Sequence, residues 1–274
     1  MTHSKKLLCS MVGLTLAGTS MGVFAGPPGY ALTSAQRLVR FEVNSGVVTE
    51  TDLGAISGLG GADTALVGID FRSADFKLYG LGNGGGVYRI SINNGNTVLV
   101  NNLSVPLEGT GFAVDFNPAA DRLRVISNTG QSLRHNLAGT TTDDGDVSYT
   151  LTLTPGTPAT TILSAAYTNN NPNNLESGTT LFVLDATNDQ VAIVSPPNGG
   201  AMVATGKFGL DVTGVHGFDI RAVPSGNGTT NAAYAALTVG GVKSVYSVDL
   251  LDGSITGLGD FTADVIDVAF KIAN

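Results

Sequence analysis

The chain has 274 residues, a formal charge of −8, 13% charged and 42% hydrophobic residues, 37 glycines and no tryptophan. Low charge with high apolar content excludes a disordered chain, and the length suits one large β domain. The acidic balance disfavours nucleic acid and anionic membrane surfaces as partners.

Residues 1–25 differ from the rest. Lys5 and Lys6 precede a mostly apolar run, and Val23-Phe24-Ala25 stands just before Gly26-Pro27-Pro28. This order predicts a signal peptide cut after Ala25, since small or aliphatic residues suit the third and first positions before the cleavage site. A membrane anchor fits less well, because the run is short, interrupted by Gly, Ser and Thr, and followed by Pro-Pro. Cleavage removes Cys9, the single cysteine, together with Lys5 and Lys6, which takes the charge from −8 to −10. The expected product, residues 26–274, is one secreted or periplasmic domain free of the membrane. Without disulfides it must rest on its hydrophobic core.

The rest of the chain repeats one grammar of strands and turns. Residues 30–56 hold YALT, RLVRFEV and, after Ser45-Gly46, VTETDLGAI. Residues 67–103 hold VGIDFRSADFKLYGLG, GGVYRISI and TVLVNNL, with a turn at Asn93-Asn94-Gly95. Residues 111–136, GFAVDFNPAADRLRVISNTGQSLRHN, are the clearest unit. Phe112, Val114 and Phe116 alternate with smaller or polar residues, and Asn117-Pro118 and Asn128-Thr129-Gly130 supply turns. A Thr/Asp/Gly-rich insertion, residues 139–146, follows, and VSYTLTL is expected as the fourth strand of that unit. Residues 162–208 give ILSAAYTNNN, TTLFVLDA, DQVAIVS and AMVATGKF; residues 215–261 give VHGFDIRA, AAYAALT, KSVYSVDL and SITGLGDF. VIDVAFKIA, residues 265–273, ends the pattern.

The first segment matches strands two to four of the unit, and the last matches strand one. One incomplete unit at each end makes a whole unit when they meet, which is how a β-propeller closes. With a repeat of about 45 to 52 residues, the count predicts an all-β, five-bladed propeller with one blade shared between the N- and C-termini. A β-sandwich would leave the complementary ends unexplained.

The run DFNPAADRLRVISNTGQSLRHN, with GIDFR and LYGLG before it and AAYTNN and GFDI after it, resembles a family of secreted bacterial proteins known only as domain of unknown function 4394. The resemblance covers roughly residues 38–270. It implies an extracytoplasmic propeller-like domain and no particular activity, so it assigns no site residues. Some relatives end in an anchoring tail; this chain stops just after its closing strand, so a free form is expected.

Asp70, Asp115, Asp219 and Asp267 fall at matching places on the first strands, with Tyr167 or a neighbour at that place in the remaining unit. First strands line a propeller's channel, so these carboxylates could meet on the axis and bind Ca²⁺, which favours several oxygen ligands. The plainer expectation is structural: they accept backbone N–H groups or pair with Arg72, Arg122, Arg124 or Arg221, fixing blade against blade. His216 precedes a first strand and is expected at a channel mouth; His135 reads as a structural histidine. Glu42, Glu50, Glu108 and Glu176 are scattered, and G-x-S-x-G is absent. Residues 169–174 and 140–146 read as solvated tips, although Asp143, Asp144 and Asp146 in the latter stand close enough to hold a cation. Gly82 to Gly86 reads as a hairpin turn rather than a phosphate loop.

These features favour a monomeric, non-enzymatic binding or interaction scaffold for a small ligand, glycan or protein. The alternative is an extracytoplasmic hydrolase or lyase acting on carbohydrate-like substrates through channel-facing carboxylates. That chemistry needs two paired acids, usually among aromatic platforms, and tryptophan is missing.

Overall fold

The computed structural model describes residues 26–149, 162–171, 178–225 and 228–272. The proposed signal peptide lies outside them. β1 (Gly29–Thr33), β2 (Arg37–Asn44) and β3 (Val47–Ala55) make most of the first blade. The second blade is β4 (Leu66–Arg72), β5 (Lys77–Gly82), β6 (Gly86–Ile90) and β7 (Thr97–Asn102). The third is β8 (Phe112–Asn117), β9 (Arg122–Ser127), β10 (Ser132–His135) and β11 (Thr141–Asp143), after which comes the short β12 (Ser148–Tyr149). The fourth is β13 (Ile162–Tyr167), β14 (Leu181–Asp185), β15 (Gln190–Val194) and β16 (Ala201–Lys207). The fifth is β17 (Val212–Ser225), β18 (Gly228–Val239), β19 (Val242–Val248) and β20 (Ile255–Asp260), and β21 (Val265–Phe270) follows.

Among the described residues these strands form five sheets, and the first has the order β21-β1-β2-β3. The C-terminal strand is thus the innermost strand of the N-terminal blade, antiparallel to β1, with Gly29 opposite Phe270 and Leu32 opposite Asp267. The chain is a five-bladed β-propeller closed by its two ends.

The pleat explains why the blades stack. Side chains alternate between the faces of a strand, so a blade with apolar residues on both faces must be covered on both. Tyr30 and Leu32 of β1 pack toward the second blade, while Ala31 packs toward the fifth. Val114 and Phe116 of β8 face the second blade, and Ala113 faces the fourth. Each of the five seams holds one apolar cluster. Aromatic edges reinforce the closing seam, where Phe41 meets Phe270 at 5.4 Å and Phe261 at 5.0 Å.

The third blade departs from expectation. VSYTLTL does not supply its fourth strand; Thr141–Asp143 does, within the segment read as a solvated tip. Asn136 explains the difference: its Oδ1 accepts the Ala138 and Thr140 amides, so the chain reverses at once after β10. Ser148 and Tyr149 then run parallel to β16, as an added outer strand of the fourth blade. Residues 150–153 lie outside the described residues.

Candidate functional site on the propeller axis

Asp70, Asp115, Asp219 and Asp267 are all on first strands, and each reaches into the adjoining blade. Asp70 Oδ2 accepts the Phe116 amide at 2.7 Å, and Asp115 Oδ1 accepts the Tyr167 amide at 3.0 Å. Asp219 Oδ2 accepts the Phe270 amide at 2.5 Å, and Asp267 Oδ2 accepts the Ile69 amide at 2.7 Å. Four seams are tied in this way. The fifth, between β13 and β17, is tied by Asn170, whose Oδ1 accepts the Ala222 amide at 2.7 Å while Nδ2 donates to the Ile220 carbonyl at 2.9 Å. The stretch of asparagines is therefore not wholly a solvated tip: Asn170 is buried. Residues 172–177 lie outside the described residues.

The four aspartates do not share one register. Asp70, Asp115 and Asp219 directly precede Phe71, Phe116 and Ile220; Ala166 and Ala269 stand in the same position before Tyr167 and Phe270. Asp267 lies two residues earlier on its strand. Its counterparts on β4 and β17 are Gly68 and Gly217, where an added Cβ would lie 3.2 Å and 2.7 Å from the Asp267 carboxylate. Those glycines make the room that the carboxylate fills.

Carboxylate oxygens of Asp70, Asp115 and Asp219 lie within 4.8 Å of one another, and all three residues are buried. Burial pushes Asp70 and Asp115 well above the usual carboxylate range, and repulsion from the neighbouring carboxylates adds to it. Burial also raises Asp219, to about 6, against the pull of the Phe270 amide. Asp267 is raised chiefly by burial.

The expected pairing of these acids with arginine is not found. Arg72 binds Asp75 and Asp121 in turns beyond its strand end. Arg122 donates to the Ala120 and Asp121 carbonyls, and Arg221 to the Lys271 carbonyl. Arg124 lies opposite Asp115 in the ladder but extends into the seam between blades three and four. There it donates to Asp144, Ser132, Asn198 and Tyr167. Burial would raise the Asp144 pKa, but hydrogen bonds from Arg134 and Arg124 outweigh it and hold the carboxyl below its ordinary value. Asp144 is thus an internal ion-pair centre rather than part of a loop cation site.

His216 lies within β17 rather than ahead of it. With Val67, Phe112, Val215 and Ile266 it lines a cavity of about 290 Å³ at the starts of the first strands. Its Nε2 is 2.7 Å from Thr238 Oγ1, and burial, followed by the charge of Lys243, lowers its pKa to about 4, so the ring is neutral at pH 7. His135 is fully buried, with Nδ1 at 2.9 Å from Thr141 Oγ1 and Nε2 at 2.7 Å from Asn101 Oδ1. The glycine-rich turn joins β5 to β6 as expected, yet it does cradle an anion. The Gly84 and Gly86 amides donate to the Asp63 carboxylate at 2.5 and 3.1 Å. Among the described residues no helix is long and apolar enough to cross a membrane.

Residues 37–269 match the family described as Domain of unknown function (DUF4394). The chain belongs to this family. A comparison with curated protein sequences finds no match. Among solved structures, virginiamycin B lyase from Staphylococcus aureus is similar at 14% identity and a TM-score of 0.42, over 80% of this chain and 65% of that one. A protein of unknown function from Bacteroides thetaiotaomicron aligns at 13% identity and a TM-score of 0.45, over 78% of this chain and 57% of the other. The Malassezia sympodialis allergen Mala s 1 aligns at 12% identity and a TM-score of 0.42, over 76% and 71%. Likeness at this level assigns no activity to the DUF4394 chain.

Proposed function

We propose that this DUF4394 protein is an extracytoplasmic, non-catalytic binding scaffold that takes a small ligand with an apolar body at the channel mouth. The carrying observation is the cavity of about 290 Å³, walled by Val67, Phe112, Val215 and Ile266, with neutral His216 beside them. Small-molecule sites are concave and mostly apolar, with a few polar groups that set orientation. The first-strand carboxylates available to a hydrolase or lyase are engaged with backbone amides of adjoining blades, which supports binding over carbohydrate cleavage. The leader-like order of residues 1–25 supports a place outside the cytoplasm.

The test uses the neutral naphthalene dye prodan as an apolar probe. Wild-type protein should enhance its fluorescence saturably, and Val67→Trp, which fills the mouth, should abolish this while leaving the circular dichroism unchanged. Equal enhancement by the folded variant would move the binding face to another part of the molecule, such as a loop surface for a glycan or protein.

A further inference from the structure

We propose that Asp70, Asp115 and Asp219 form an axial site for one calcium ion, held by oxygens from three blades. Two separate observations point to it. The first is the spacing: three oxygens that all lie within 4.8 Å of one another share a point no more than about 2.8 Å from each, close to the calcium–oxygen range of about 2.3–2.6 Å. The second is an unsatisfied acceptor. Asp219 is 2% exposed, and its Oδ1 has no hydrogen-bond partner, while Oδ2 is taken by Phe270. The adjacent Ile220 amide pulls electrostatically on this carboxylate without reaching hydrogen-bond geometry at Oδ1. A buried carboxylate oxygen left alone is costly, and a cation is the partner that removes the cost.

The donor chemistry selects the ion. The three side chains offer oxygen only, which suits a hard cation rather than zinc or copper. Magnesium demands near-ideal octahedral geometry at about 2.0–2.1 Å, whereas calcium accepts irregular sites and completes its shell with water. Charge agrees as well. Three carboxylates buried together repel one another, and a divalent ion neutralises two of the three charges. Asp267, in the adjoining layer, adds negative potential without entering the triad. A buried hydroxyl, Ser164 Oγ on β13, is also without a partner.

The experiment strips the purified protein with EDTA, then measures calcium stoichiometry by equilibrium dialysis and thermal unfolding with and without about 1 mM Ca²⁺, a concentration that extracellular calcium modules sense. One calcium per chain and a raised melting temperature are expected. Asp219→Asn should weaken binding at least tenfold yet fold normally, because the amide oxygen can still accept the Phe270 N–H. Asp115→Asn, which likewise keeps an acceptor for Tyr167, serves if the first variant does not fold. Failure of the wild-type protein to bind calcium, with an unmoved melt, would overturn the site. Undiminished binding in a folded variant would overturn the assignment to these residues, and equal displacement by magnesium would overturn the choice of ion. None of these readouts depends on a ligand at the channel mouth.

Discussion

Removing residues 265–274 deletes the innermost strand of the first blade, and the consequence can be worked from what that strand buries. Val265, Val268, Phe270 and Ile272 are at most 3% exposed. At about 1.5–3 kcal/mol for each side chain, their burial contributes about 6–12 kcal/mol, which is as large as the whole stability of about 5–15 kcal/mol typical of a domain. The deletion also frees the edge of β1 and removes the Asp219–Phe270 and Asp267–Ile69 ties. The truncated chain should therefore fail to fold or should aggregate, since an open apolar edge templates further pairing. Soluble yield, far-UV circular dichroism and urea titration read the result, and a synthetic peptide of the deleted residues should restore folding when added in trans. A soluble, monomeric truncation within about 2 kcal/mol of the intact chain would refute closure by the shared blade, because a loss that small is the effect of an ordinary point mutation.

Two further outcomes concern the axis, both measured in EDTA. Asp115→Asn should change stability by under about 1 kcal/mol, because the amide still accepts the Tyr167 N–H, whereas Asp115→Ala orphans that buried amide and should cost about 1–3 kcal/mol in urea titrations; equal losses would show that the acceptor is not what matters. Acidification should separate His216 from Asp219. The His216 pKa falls from the ordinary 6.5 to about 4, so between those values the unfolded chain holds the extra proton and stability drops as pH falls, by up to about 3 kcal/mol. Asp219, raised from 3.8 to about 6, acts oppositely: its native proton stabilises at low pH, and that contribution, also up to about 3 kcal/mol, is lost as pH rises through 6. Between pH 7.5 and 4.5, His216→Gln should thus be less acid-sensitive than wild type and Asp219→Asn more so; matching profiles would refute both shifts.

Strand alternation and the complementary ends made the architecture legible, because a period of two and a missing strand are properties of order along the chain. The parts of the site that escaped depend on distances between segments. The two-residue offset of Asp267 was hidden because Gly68 and Gly217 signify space only when the facing carboxylate is known; their presence in GIDF and GFDI was the available clue. Asn170 was concealed among four other asparagines, although Asn169, two residues past the end of β13, takes up the left-handed region with φ of 62° just before the buried Asn170. Asp144 looked like one of three loop acids, yet Arg124 and Arg134 lie two strands inward and one strand inward, on β9 and β10, within reach of it. Asp63 carried no sign at all that it would seat on the Gly84 and Gly86 amides, 21 and 23 residues further on.

The exception at the seam between blades four and five follows from the same electrostatics as the rule at the other four. Apolar clusters press the blades together but are non-directional, so they leave neighbouring blades free to slide; a side-chain acceptor fixed on one particular amide removes that freedom. Aspartate suffices while few of them meet. In the layer of Asp70, Asp115 and Asp219, burial pushes the Asp70 and Asp115 pKa values up first, and each neighbouring acid adds to the cost of charging the others. β13 presents Ala166 at that level, and Asn170, three residues past the end of the strand, ties the seam with a neutral side chain that donates as well as accepts. Seam registry is thereby kept without a fourth carboxylate beside the triad. Three is also a number whose charge one divalent ion and the surrounding amide dipoles can balance, so a neutral tie between blades four and five is what the proposed calcium site requires of this ring.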